Sequence, residues 1–171
     1  MKEVKIKLYK FEELEEEQQE KIIEKYYDIN LDYDWWDFLY YEFKEDLEKI
    51  GISCETFYFD LGRGSHIYMD KAYVDDERKF LKHCGYDLRT KKARIIIEET
   101  GLQIKANRHS NYVLFDYEYD EEFTEILNDK LMEFWKVLDK EYYYLMSDEA
   151  IKDTLIANDY EFRKDDNEIW G

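Results

Sequence analysis

Asp32-Tyr33-Asp34-Trp35-Trp36-Asp37, followed by Tyr40 and Tyr41, is the densest stretch of alternating acid and aromatic residues in the sequence. Three carboxylates this close can bind a cation or face one. Calcium loops need a glycine-bearing turn and a terminal bidentate carboxylate in a fixed register, and this run has neither, so no metal site is expected. Two readings remain. In one, the aspartates charge the start of a helix while Trp36 packs inward. In the other, Asp32, Asp34 and Asp37 face the Arg and Lys of a partner, with Trp35, Tyr40 and Tyr41 as anchors. A second cluster, Asp116-Tyr117-Glu118-Tyr119-Asp120-Glu121-Glu122, falls at a strand-to-helix turn. Carboxylates spaced along a rigid surface can stand in for phosphates, so both clusters are candidates for a DNA-like face. A plain solvated face is the alternative for each.

Other chemistry is thinly represented. Gly62-Arg63-Gly64-Ser65-His66 has the glycines of a phosphate-cradling turn but lacks the Lys-Ser/Thr ending of a P-loop and the register of a dinucleotide site. A hairpin turn is the simpler reading, with Arg63 and His66 as minor candidates for ligand contact. His83 and His109 show no zinc spacing, and no G-x-S-x-G nucleophile elbow is present. Cys54 and Cys84 stand apart, outside any C-x-x-C pair, and read as reduced thiols of a cytosolic protein. Neither an enzyme nor a cofactor is expected.

The elements that position these residues follow from periodicity. Val4 to Tyr9 alternates lysine with apolar residues and predicts a strand with Val4, Ile6 and Leu8 on one side. Phe11 to Ile29 predicts a helix with an apolar face through Leu14, Ile22, Ile23 and Tyr26. Trp36, Leu39, Phe43, Leu47 and Ile50 predict a second helix, with Gly51 as its left-handed C-terminal cap. Two strands, Ile52 to Leu61 and Ser65 to Val74, flank the glycine turn. Asp75 to Cys84 predicts a short helix ended by Gly85. Arg94 to Glu99, Leu102 to Asn107 and Tyr112 to Tyr119 predict a meander. A long helix from about Glu121 to Met146 stacks Phe123, Leu127, Leu131, Phe134, Leu138 and Leu145, and Ser147 caps a shorter helix through Asn158. The tail after Tyr160 adds an edge strand or frays. These elements predict a single α+β domain over residues 1–171, an antiparallel sheet covered mainly on one face by helices.

The 171 residues carry a formal charge of -18, together with 17 Tyr, 10 Phe and 4 Trp. Acidic disordered chains are poor in aromatics, so this is a folded body with a negative coat. Residues 1–60 sum to -10 and residues 110–171 to -12, whereas residues 78–109 hold nine basic groups against three acidic ones. That middle strip is either one end of a functional dipole or internal charge neutralisation. The surrounding field opposes a polyanion, so direct nucleic-acid binding is not expected. No apolar run is long enough to span a bilayer, and the N-terminal segment has no apolar core of a signal peptide.

Leu8-Tyr9-Lys10-Phe11-Glu12-Glu13-Leu14 with the helix after it, Asp34-Trp35-Trp36-Asp37, and the tail from Glu141-Tyr142-Tyr143-Tyr144 through Asp148-Glu149-Ala150 to Asp159-Tyr160-Glu161-Phe162 together resemble a family of small acidic proteins of bacteriophages and prophages. Members carry the label "antitoxin of toxin-antitoxin stability system". The tail is the most specific part, and the resemblance covers the two ends of the chain. It brings no catalytic residues. After Leu14 the family commonly has Ser where this chain has Glu15, so a helix-capping box is lost, and the stretch from Gly62 to His109 matches less well. The resemblance implies a phage origin and with it counter-defence, since a small acidic protein without enzymatic motifs is similar to many anti-CRISPR and anti-restriction inhibitors.

The leading expectation is therefore a cytoplasmic inhibitor that binds the basic nucleic-acid channel of a host defence nuclease, a CRISPR effector above all. The alternatives are an antitoxin-type protein that neutralises a basic toxin, and a small-ligand binder using the Gly62 to His66 turn with the basic strip.

Overall fold

The computed structural model describes residues 6–61, 66–91, 93–94, 104–106, 113–115 and 120–170. They form an α+β protein whose strands pair antiparallel. The chain groups into two compact units, Met1–Trp35 with Lys140–Gly171, and Trp36–Asp139.

In the first unit the two ends of the chain pair with each other. Strand β1 (Leu8–Lys10) runs antiparallel to β6 (Glu161–Arg163), with Tyr9 opposite Phe162, so the tail is an edge strand. Phe11 and Phe162 meet edge-on, their ring centroids 6.2 Å apart. They join Leu14, Ile22, Ile151 and Leu155 in one buried cluster. Each such side chain gains about 1.5–3 kcal/mol from leaving water.

The helix expected over Phe11 to Ile29 is broken into a 3-10 turn (Phe11–Glu13), helix α1 (Glu16–Lys25) and a second 3-10 turn (Ile29–Leu31). Leu14 takes extended backbone angles, which lets Phe11 and Leu14 both turn inward. The carbonyls this break exposes are satisfied by Gln19, whose side-chain amide donates to Phe11 O at 3.1 Å and Leu14 O at 3.0 Å. Glu15 is the N-cap of α1 and makes no side-chain capping bond. Ser147 does cap: its hydroxyl oxygen accepts from Ala150 N and opens the helix Asp148–Ala157, here α5.

In the second unit α2 (Asp37–Lys49) buries Phe43 and Leu47 and stops at Gly51, where φ is +84°. The Gly51 carbonyl accepts from Asp75 N and Asp76 N, which ties the end of α2 to the start of α3 (Glu77–His83). Asp76 caps α3, its carboxylate accepting from Lys79 N at 3.0 Å.

Strands β2 (Ile52–Asp60) and β3 (His66–Val74) form an antiparallel ladder that skips Glu55 and Lys71. Side chains alternate along a strand, so skipping one residue on each side changes which parity faces inward. Ile52 and Ala72 are buried on one side of the break, and Phe57, Ile67 and Met69 on the other. Lys71 pays for the break with a φ of +50°.

The helix Asp120–Leu145, here α4, lays Phe123, Leu127, Leu131, Phe134 and Leu138 in one buried stripe. Phe43 of α2 stacks on Phe134 of α4 at 4.2 Å, and Phe57 of β2 meets both rings. Helices thus cover the Phe57 face of the β2-β3 ladder, while Tyr58 and Tyr73 are exposed. Strands β4 (Ile104–Ala106) and β5 (Val113–Phe115) pair antiparallel, so the described strands make three two-stranded ladders.

Arg94, expected to open a strand, is helical. Thr90 explains the start of that turn, since its hydroxyl accepts from Ala93 N at 3.2 Å and Arg94 N bonds its carbonyl. No helix among the described residues is long and apolar enough to cross a membrane.

Candidate interaction surfaces

Helix α2 carries an outward stripe of acid and aromatic residues. Its inward positions, Leu39, Tyr40, Phe43 and Leu47, repeat at helical spacing, which leaves Phe38, Tyr41, Glu45 and Glu48 on the opposite side. Phe38 is 67% exposed and Tyr41 64%. Glu45 holds the Tyr41 hydroxyl above its ordinary pKa, by a side-chain hydrogen bond first and by its charge second. Asp37 and Glu42 extend the acidic face. Both lysines of α2 have partners: Lys44 donates to Glu55 O at 2.7 Å, and Lys49 pairs with Asp46 of the same helix at 2.7 Å.

The residues of the Asp32 to Tyr41 cluster are divided between the two units. Asp32, Asp34 and Trp35 belong to the first. Both aspartates are exposed, with Tyr33 between them 59% exposed. Trp35 is half-buried, its ring tilted against Tyr142 at 6.1 Å, so part of its surface is already committed. Asp37, Tyr40 and Tyr41 belong to the second unit. Asp37 is exposed at the first turn of α2, where the helix dipole favours a carboxylate. Trp36 packs edge-on against Phe59, as the inward reading expected.

Tyr40 corrects the anchor reading. Its ring lies against Phe57, Phe59 and Phe134, and its hydroxyl donates to Phe57 O at 3.2 Å. Burial, before any neighbouring charge, drives its pKa far above the usual phenol value. One residue along a helix is a 100° rotation, so Tyr40 faces the core while Tyr41 faces water. Phe38, which sequence reasoning passed over, takes the exposed place instead. The signal was present, since Phe38, Tyr41, Glu45 and Glu48 follow one another by three, four and three residues.

In the second acidic cluster, Asp116, Tyr117, Glu118 and Tyr119 lie outside the described residues. Asp120, Glu121 and Glu122 occupy the first turn of α4, a position that suits acids whatever else they do. Arg63 and the turn Gly62 to Ser65 also lie outside the described residues, and His66 opens β3 opposite Asp60.

Within the basic strip, two of the nine basic groups are paired among the described residues. Lys79 pairs with Asp76 at 3.7 Å, and Arg89 donates from both Nε and Nη2 to Asp87 at 3.0 Å. That contact holds the Asp87 carboxyl below its ordinary pKa. Cys54 and Cys84 form no disulfide. Among the described residues no group of His, Cys, Asp and Glu is placed to hold a metal ion. The chemistry the surface offers is recognition of cations by carboxylates and of apolar or cationic groups by exposed rings. Comparison with family models, with curated proteins and with solved structures yields no match.

Proposed function

We propose that the protein acts by binding a basic surface of another protein and so competes with nucleic acid there. The partner class this reading favours is a host defence nuclease, in its most specific form a CRISPR effector. The α2 stripe carries it: two exposed aromatic rings set among carboxylates, with both lysines of the helix already holding a partner. Exposed rings of this kind supply contact energy, typically the largest share at an interface, while carboxylates supply encounter rate and partner choice. A net charge of -18 attracts a cationic channel over roughly a Debye length, about 8 Å at physiological salt.

The test is target cleavage by a panel of guided and restriction nucleases with and without the protein. Inhibition that weakens as salt rises, and that excess nucleic acid relieves, is the expected result. Absence of binding and inhibition across the panel sinks the reading. Capture of a basic toxin encoded beside the protein would move it to the antitoxin class.

A further inference from the structure

A pocket of about 280 Å³ opens on the first unit, between α1 and the start of α5. Its floor is apolar: Ile151 is buried, and Ile23 and Met146 are half-buried. Its rim is acidic, formed by the exposed residues Glu20, Glu24 and Asp148. The ring of Tyr27, 53% exposed, closes one side.

Among the described residues, no lysine or arginine pairs with those carboxylates. The two lysines of α1 turn to other partners, Lys21 to Glu17 at 2.7 Å and Lys25 to Glu168. Glu20 and Glu24 stand four residues apart on α1, where like charges destabilise a helix by about 0.2–0.5 kcal/mol. An arriving cation relieves that repulsion. The pocket is smaller than the roughly 300–1,000 Å³ typical of cofactor and drug-sized sites, so a single side chain is the fitting occupant.

We propose that this pocket binds an arginine side chain of a basic partner peptide. The arginine stem would lie on Ile23, Met146 and Ile151, the guanidinium would bond the rim carboxylates, and its planar face would stack on Tyr27. Arginine suits this better than lysine because its guanidinium is weakly hydrated, stacks on aromatic rings and forks onto carboxylates. The site is distinct from the α2 stripe and needs no nuclease partner to operate.

The probe is N-acetyl-arginine amide, titrated against the full chain while the methyl signals of Ile23, Ile151 and Met146 are followed by NMR. Expected are saturable shifts in the millimolar range, at least about threefold tighter than with N-acetyl-lysine amide and absent with N-acetyl-leucine amide. The double variant Glu20→Gln/Glu24→Gln should weaken binding about tenfold or more, while Glu16→Gln/Glu125→Gln, which removes equal charge elsewhere, should leave it unchanged. Tyr27→Leu should remove the preference for arginine over lysine. Overturning results are no saturable shift at these methyls, equal binding of the leucine probe, or equal loss from both double variants.

Discussion

The Thr154 hydroxyl donates to the side-chain oxygen of Asn30 at 2.6 Å, while the Asn30 amide nitrogen donates to Leu145 O at 2.9 Å. Asn30 is only 4% exposed, so this pair joins the second 3-10 turn to α4 and α5 through a buried polar centre. Removing one partner leaves the other unsatisfied away from water, at a cost of about 1–3 kcal/mol. Asn30→Ala should therefore lower unfolding free energy by about 2–3 kcal/mol and Thr154→Val by about 1–2 kcal/mol. In a urea-unfolding double-mutant cycle the pair should be coupled, and additive losses would show that the bond contributes nothing of its own.

Gly51 and Gly85 have nearly the same left-handed φ, +84° and +81°, but different surroundings. A Cβ at Gly51 would sit 2.3 Å from Asp76 O, whereas one at Gly85 meets nothing within 4 Å. Gly85→Ala should cost only the conformational strain, about 1 kcal/mol. Gly51→Ala must also push apart the junction of α2 and α3, and should cost about 3 kcal/mol or more. Thermal unfolding of the two variants side by side checks the difference, and equal losses would mean that the Gly51-Asp76 approach is not tight.

The sequence made some of this legible through local signals. Periodicity located α2 and α4, the glycines at 51 and 85 marked helix ends, and Ser147 announced α5 by its cap. The break at Leu14 was hidden because it depends on Gln19, whose amide looks like any helix-forming side chain until the carbonyls it serves are in place. The skipped pair at Glu55 and Lys71 was hidden as well, since it is a property of two strands at once. Of the candidate site, the acid-aromatic character was readable but its partition was not. Trp35 and Trp36 are neighbours in sequence and belong to different compact units, and a composition-based cluster treats them as one.

Acid should weaken the first unit partly through Glu168. Lys25 holds its carboxyl below the ordinary value, chiefly by a side-chain hydrogen bond, with the Tyr26 hydroxyl adding a smaller contribution. A depressed folded pKa means stability that is present above the ordinary carboxylate range and lost as pH falls through the folded value. Glu17 and Asp87, lowered by Lys21 and Arg89, behave in the same direction. Glu168→Gln should thus be less stable than the parent near neutral pH, with the two converging as pH falls below the ordinary carboxylate range. Urea midpoints measured across that range check it, and a gap that widens on acidification would reverse the sign.

Tyr40 and Tyr41 should separate stability from binding. Tyr40→Phe keeps the ring among Phe57, Phe59 and Phe134 but leaves Phe57 O without the donor it has at 3.2 Å, a loss of about 1 kcal/mol. Inhibition or partner affinity should be unchanged, because that hydroxyl does not reach the surface stripe. Tyr41→Ala and Phe38→Ala remove exposed rings and should change stability by no more than about 0.5 kcal/mol. If α2 is the docking face, each should weaken partner binding by about 1–2 kcal/mol, a five- to thirty-fold rise in Kd. Glu45→Gln should mainly slow association and flatten its salt dependence. The opposite pattern, with Tyr40→Phe lowering affinity while Phe38→Ala and Tyr41→Ala do not, would place the binding surface away from α2 and leave its exposed rings without a part in recognition.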